Sequence, residues 1–375
     1  MTEPHYYDPQ TGARYALDEP RWCSDARTPL MISPLAGISR DDIDTRARSL
    51  WRYRAALPRV IDAPVSMGEG RTPMAERAWG ALRPHFKLEW FNPTCSFKDR
   101  GAAVMLSWLR QIGIGAVGED SSGNGGAAIA AFGAAAGMAV TIFAPAYASP
   151  AKIAQIRAFG ADVRLVDGPR EASQDAAIRA SGELYYASHN WQPFFLQGTK
   201  SIAYEMWEDF GFEAPDNVVI PAGAGSNVLG CAIGFAELLA AGQIRRLPRL
   251  FVAQPLHCSP VDASFQAGAE TLVERPVLPT VAEGTAIRQP LRLREMLQAV
   301  RASGGQTVAV PEDAIVAAVR KLAAMGLYAE PTSATAAAAL DMLAARGAIA
   351  PTERTVVLLT GSGLKASQFM TELYS

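Results

Sequence analysis

From Glu119 onward, short apolar runs alternate with amphipathic or alanine-rich stretches, and this rhythm restricts the fold more than any other feature. Residues 125–137 are rich in alanine and predict a helix. Residues 139–144 form a β-branched and apolar run, stopped by Pro145, that predicts a buried strand. Ser149-Pro150 opens a helix to Phe159, with proline at the favoured first position. Asp162–Val166 predicts the next strand, 170–180 a helix and 184–187 a further strand. Strands separated by whole helices pair in parallel, because the crossover is too long for a hairpin. The expected class is therefore α/β, with open, mostly parallel sheets flanked by helices. A long amphipathic helix is expected over 198–210. The rhythm then resumes with strands at 218–220, 250–253, Thr307–Val310 and Thr355–Leu359, and with helices at 227–241, 311–325 and 334–345.

The segment near 106–204 reads as a smaller α/β domain inserted in a larger one, formed by 61–105 and 205–375. Residues 1–60 differ in kind. They are rich in charge and aromatics (Tyr6, Tyr7, Tyr15, Trp22, Trp51, Tyr53). They predict an N-terminal arm with one helix at about 40–56, wrapped on the body or reaching a partner subunit.

At 375 residues and 49% apolar, the chain can bury a large core. Its net charge of −2 gives no electrostatic reason to bind nucleic acid or an anionic membrane. No apolar run reaches the roughly 18 residues of a membrane span. Met1-Thr2-Glu3-Pro4-His5 has neither the basic nor the apolar region of a leader, so a cytoplasmic protein is expected. Cys23, Cys95, Cys231 and Cys258 make no CxxC pair, and with four histidines they give no metal spacing. They are expected to be reduced thiols. Cys95 reads either as a reactive thiol near a helix start or as a small packing residue.

Cys95 stands three residues before Lys98, in Asn92-Pro93-Thr94-Cys95-Ser96-Phe97-Lys98-Asp99-Arg100-Gly101. The preceding His85-Phe86-Lys87-Leu88-Glu89-Trp90-Phe91 largely alternates apolar and charged, the period of a half-buried strand. From Asp99 on, Met105, Leu106 and Leu109 recur at helical spacing. Lys98 thus falls at a helix N-terminus, where the helix dipole disfavours a cation. Partial burial there favours the neutral amine, which can form a Schiff base with an aldehyde cofactor. The alternative is an exposed lysine that snorkels off the first turn.

Three loops at strand ends carry further chemistry, since ligands in open α/β sheets bind outside the carboxyl ends of strands. Ser121-Ser122-Gly123-Asn124-Gly125-Gly126 offers N–H groups and hydroxyls that grip a carboxylate, or else is a capping turn. Pro221-Ala222-Gly223-Ala224-Gly225-Ser226-Asn227 reads as a phosphate cradle before a helix. It lacks the lysine of a P-loop and the third glycine of a dinucleotide fingerprint. Thr360-Gly361-Ser362-Gly363-Leu364-Lys365 places a hydroxyl at a strand end. Such a group either donates to a heteroaromatic nitrogen or caps a helix. A lysine amine, a carboxylate loop, a neutral phosphate cradle and a terminal hydroxyl are together what pyridoxal 5′-phosphate requires. A hydroxyl, rather than an aspartate, opposite the pyridine nitrogen favours elimination and replacement over transamination.

These segments resemble the fold-type II pyridoxal-phosphate enzymes, the tryptophan synthase β family, and within it the threonine synthases. The lysine motif carries cysteine where glycine is common. Leu50-Trp51-Arg52-Tyr53-Arg54, Gly68-Glu69-Gly70-Arg71-Thr72-Pro73 and the Thr360 loop are similar to threonine synthase signatures. Glu330-Pro331-Thr332-Ser333-Ala334 is shared with threonine dehydratases. The resemblance implies Lys98 as the Schiff-base and proton-transfer residue, beside Phe97. It implies Asn124 on the cofactor's 3′-oxygen, Gly223, Ala224, Gly225, Ser226 and Asn227 on its phosphate, and Thr360 on its ring nitrogen. Ser121, Ser122 and Gly125 would face the substrate carboxylate. The implied reaction is loss of phosphate from O-phosphohomoserine and addition of water to give threonine, in a homodimer acting on a small amino acid. A threonine or serine dehydratase, or another β/γ-elimination or replacement enzyme, is the alternative. Gly125 departs from the family's usual threonine, which leaves the substrate open. Cys23 lacks the paired cysteines of many relatives, so no metal is implied. His189-Asn190-Trp191-Gln192-Pro193-Phe194-Phe195-Leu196-Gln197-Gly198-Thr199-Lys200 resembles a threonine synthase-like branch, and Lys200 reads either as a partner for a substrate phosphate or, the favoured reading, as a surface charge at a helix start.

Overall fold

The computed structural model describes residues 3–375; Met1 and Thr2, which open the N-terminal run read above, lie outside the described residues. The chain forms two compact units. One comprises Met1–Gly70, Asn92–Thr94 and Lys98–Ser201, the other Arg71–Phe91, Cys95–Phe97 and Ile202–Ser375.

The first unit is built on a wholly parallel sheet in the order Asp162–Val166, Ala139–Pro145, Ala116–Glu119, Tyr185–Tyr186. The alternation of strand and helix dictates this, as expected. Helix Asn124–Ala136 ends where Gly137 turns left-handed at φ 69°, a conformation that costs glycine nothing. Its alanines allow close packing, and Ala127, Ala128, Ile129, Ala130 and Phe132 share a core with Met105, Leu106, Leu109 and Phe194. Helix Lys98–Gln111 lies wholly in this unit, and a division between residues 105 and 106 would cut it.

Residues of the first sixty contribute to the same core: Tyr6, Leu17, Leu30, Leu50 and Trp51 are buried within it. Their short antiparallel sheet, with His5–Tyr7 between Arg14–Ala16 and Met31–Ile32, has no counterpart in the sequence reading. The helix expected at 40–56 does not form. Two 3₁₀ segments, Arg40–Asp42 and Leu50–Ala56, replace it. Tertiary hydrogen bonds account for the break, since Leu50 N–H donates to the Glu69 carbonyl and Asp44 N–H to that of Arg52.

The second unit has a six-stranded sheet in the order Thr307–Val310, Arg249–Pro255, Asn217–Pro221, Thr355–Leu359, His85–Leu88, Met74–Glu76. Five strands are parallel and the edge strand Met74–Glu76 is antiparallel. Helices Ser226–Ala240, Leu293–Ala302, Glu312–Ala324 and Pro331–Ala345 belong to this unit. The alternation at residues 85–91 misled: Lys87 and Glu89 are buried rather than solvated. The Lys87 ammonium donates to Glu205, Asp209 and the Thr72 carbonyl at 2.8, 2.8 and 2.6 Å, and Thr72 Oγ1 donates to Glu89 at 2.6 Å. Burial of such charges is tolerated only with partners of this kind.

The single helix expected at 198–210 is two, Phe194–Thr199 and Ser201–Asp209. Lys200 between them is not a surface charge. It is 1% exposed, and its ammonium donates to the Ala56 carbonyl at 2.7 Å.

Candidate active site

In the first unit, Lys98 is the first residue of helix Lys98–Gln111 and is half-buried. Asp99 beside it accepts hydrogen bonds from Thr94 N–H (2.6 Å) and Thr94 Oγ1 (2.5 Å), which fixes the chain entering the helix. The helix is drawn onto Phe194–Thr199 by two glycines. A Cβ at Gly101 would meet the Phe195 ring at 2.5 Å, and one at Gly198 would enter the Arg100 carbonyl. The Lys98 Nζ consequently stands 5.5 Å from the centroid of Phe195.

The loop after strand Ala116–Glu119 belongs to the same unit. Ser121 is buried, Ser122 and Asn124 are half-buried, and Asn124 opens its helix. Gly126 is required by the turn, because any Cβ there would collide with the Ser121 carbonyl. Gly125 lies against the imidazole of His189. That ring is buried and held through Nδ1 by Glu119 at 3.0 Å, while Glu119 also accepts the His189 backbone N–H at 2.9 Å. Burial pushes the Glu119 carboxyl up to about 7, against the pull of the His189 N–H and the Lys98 charge. Burial, reinforced by the Lys98 cation, holds His189 well below the usual histidine range, so the ring is neutral. In the sequence His189 stands within a motif with no role of its own, and Glu119 marks only the start of the strand–helix alternation. A histidine near a strand end and a carboxylate at another are a weak signal until the sheet brings them together.

In the second unit, strand Asn217–Pro221 runs into the turn 222–225 and helix Ser226–Ala240. Gly225 has φ +87°, and a Cβ on it would collide with the Met296 sulfur. A Cβ on Gly223 would stand 2.9 Å from the Thr285 Cα and 3.0 Å from Ile287. Ala224 is half-buried, and Ser226 and Asn227 are buried. Neither the amide nitrogen nor the oxygen of Asn227 has a hydrogen-bond partner. An orphaned buried amide is costly unless a ligand satisfies it. A glycine-lined turn, a helix N-terminus and this amide are suited to a phosphate.

The same unit holds Thr360, directly after strand Thr355–Leu359. Its hydroxyl is 3.1 Å from that of Ser333, which in turn donates to the Gly361 carbonyl and accepts the Gly361 N–H. Phe97, half-buried, donates its N–H to the Thr360 carbonyl at 3.0 Å, and Ser362 N–H donates to the Cys95 carbonyl at 3.3 Å. The residues just before Lys98 are thus stitched to the Thr360 loop. Ser333, visible in the sequence only as part of the Glu330–Ala334 motif, is placed by these bonds beside the Thr360 hydroxyl.

Cys95 occupies a position with φ +64°. A β-branched residue there is strained, so Cys95→Val should destabilise the fold by about 2 kcal/mol. Cys95→Gly should change it by less than about 1 kcal/mol, relief of strain offsetting chain entropy. Urea unfolding midpoints of the two variants check this. All four cysteines are free thiols. Among the described residues no cluster of metal-ligating side chains occurs, and no helix is long and apolar enough to cross a membrane.

Residues 65–361 match the model of the family described as pyridoxal-phosphate dependent enzyme. The threonine synthase of Methanocaldococcus jannaschii is 33% identical over 337 residues, covering 88% of this chain and 83% of that one. That of Methanosarcina acetivorans is 32% identical over 373 residues, covering 96% and 91%. Among solved structures, maize serine racemase aligns with a TM-score of 0.69 at 20% identity, covering 81% of this chain and 92% of that one. The likeness at that identity concerns the fold. The chain therefore belongs to the pyridoxal-phosphate dependent enzymes of fold type II, and its cofactor is pyridoxal 5′-phosphate. Within that family its sequence is threonine synthase-like, which makes it a lyase by class.

Proposed function

We propose that this enzyme converts O-phosphohomoserine and water into threonine and phosphate. The observation that carries the reading is the match to threonine synthases along nearly the whole chain. The cofactor, when bound, supplies an aldehyde for an amine and an electron sink for carbanion chemistry. Lys98 holds it and then moves protons at the substrate carbons, as base and acid in turn. The turn 223–227, with the orphaned Asn227 amide, holds the cofactor phosphate. Asn124 binds the 3′-oxygen and Thr360 the ring nitrogen. The Ser333 hydroxyl beside Thr360 supports a neutral partner for that nitrogen. Ser121, Ser122 and Gly125 face the substrate carboxylate. The reading includes a homodimer in the cytoplasm, which light scattering and cell fractionation test.

The purified holoenzyme mixed with O-phosphohomoserine should release phosphate and threonine in equal amounts. Ammonia and a 2-keto acid formed from threonine or serine, with no phosphate released from O-phosphohomoserine, would instead identify a dehydratase.

A further inference from the structure

Gly125 lies where the loop after strand Ala116–Glu119 presses on a buried imidazole. A Cβ at 125 would lie 2.8 Å from both Cε1 and Nδ1 of His189 and 3.0 Å from Ser121 Oγ. The room for a side chain is already taken by an imidazole. That imidazole is not loose packing. Glu119 grips it at the ring and at the backbone, and its face tilts against Phe195 at 5.6 Å between centroids. Phe195 is the ring beside which Lys98 Nζ stands. The pair thus lies against the loop that holds Ser121 and Gly125 and is one aromatic ring removed from the lysine.

We propose that His189, oriented by Glu119, is a specificity residue that joins the Ser121–Gly125 loop in binding the substrate carboxylate. This deepens the proposed function and rests on its assignment of the Ser121–Gly125 loop. The chemistry follows from the hydrogen bond. When Glu119 is ionised, His189 Nδ1–H donates to it and Nε2 is left as an acceptor. When Glu119 carries a proton, its O–H donates to Nδ1 and Nε2–H becomes a donor. A carboxylate is bound by the second form.

The charged and titratable neighbours act on this balance. Asp120 beside Glu119 is itself pushed up by burial and by the Glu119 charge; its Oδ1 accepts hydrogen bonds from Tyr186 OH at 2.7 Å and Ser188 Oγ at 3.2 Å. Lys98 and Arg170 pull Glu119 down. With Glu119 at about 7, a bound carboxylate raises it further by like-charge repulsion. Binding therefore takes up a proton, and affinity falls as pH rises through 7.

The test uses the holoenzyme with glycine as a non-reactive carboxylate probe, read by the cofactor absorbance, and ¹³C-histidine NMR. Wild type should bind glycine about tenfold more weakly at pH 8.5 than at pH 6.5, beyond the change due to the amine, which Glu119→Gln retains as an internal control. The His189 ring signals should step near pH 7 without the ring becoming cationic, and the step should vanish in Glu119→Gln. Gly125→Thr should weaken glycine by about tenfold or more, the scale of one ill-fitting group in a pocket. The double variant Gly125→Thr/His189→Gly should recover most of it. A double variant no better than Gly125→Thr, or a His189 ring that titrates as an ordinary histidine, would overturn the proposal. Since glycine binding does not depend on which amino acid is turned over, failure here is distinct from failure to make threonine.

Discussion

Lys98→Ala is expected to lower turnover by at least about 10²–10⁴-fold, the scale of a lost acid–base group, and to abolish the absorbance of the lysine-bound cofactor. The effect should be large because the one amine serves both as the point of attachment and as the acid–base group. Lys98 opens a helix whose entry is fixed by Thr94 and Asp99, and its position is set by the glycine contacts at 101 and 198. Lys87 and Lys200, the buried lysines, are both committed, one to Glu205 and Asp209 and the other to the Ala56 carbonyl. The fold should survive, because replacing a half-buried lysine at a first helical turn by alanine removes little packing. Retention of the visible absorbance with normal turnover in this variant would remove Lys98 from the chemistry.

Gly225→Asp should weaken cofactor binding by roughly a hundredfold or more. Three costs combine. The backbone at φ +87° disfavours any L side chain, by about 1–2 kcal/mol. A Cβ there collides with the Met296 sulfur. A carboxylate in the cradle repels the phosphate and is itself desolvated, a cost of about 3 kcal/mol or more. Dialysis of the holoenzyme followed by spectroscopy measures the loss, and the thermal midpoint of the cofactor-free protein separates it from global unfolding. Full cofactor retention would contradict the phosphate assignment to this turn.

Much of the fold was legible because its signals are local. Strands at Asp162–Val166, Thr307–Val310 and Thr355–Leu359 stand where the apolar runs placed them. Helix ends followed Pro150 and Gly137, residues with fixed backbone preferences. What escaped was set by distant partners. The alternation at 85–91 suggested a solvated face, but Lys87 reaches Glu205 and Asp209 far along the chain. Lys200 resembled a surface charge because nothing nearby in sequence reveals the Ala56 carbonyl. The helix expected at 40–56 has suitable composition yet yields to contacts such as Leu50 with Glu69.

The candidate site divides in the same way. Lys98, the Asn124 loop and the Gly223–Asn227 turn announce themselves by glycine, hydroxyl and amide residues at strand ends. Glu119 and His189 do not, because they meet only when strand Ala116–Glu119 is paired with Tyr185–Tyr186. The departure at Gly125, visible in sequence as a puzzle about substrate, becomes a question about His189 once the space around it is known.

The most direct measurement is to reduce the holoenzyme with borohydride, which fixes the cofactor to the amine that carries it, and to map the modified peptide by mass spectrometry. The cofactor mass should be found on Lys98, in the peptide containing Ser96-Phe97-Lys98. Its recovery on Lys87, Lys152, Lys200, Lys321 or Lys365 instead would contradict the account.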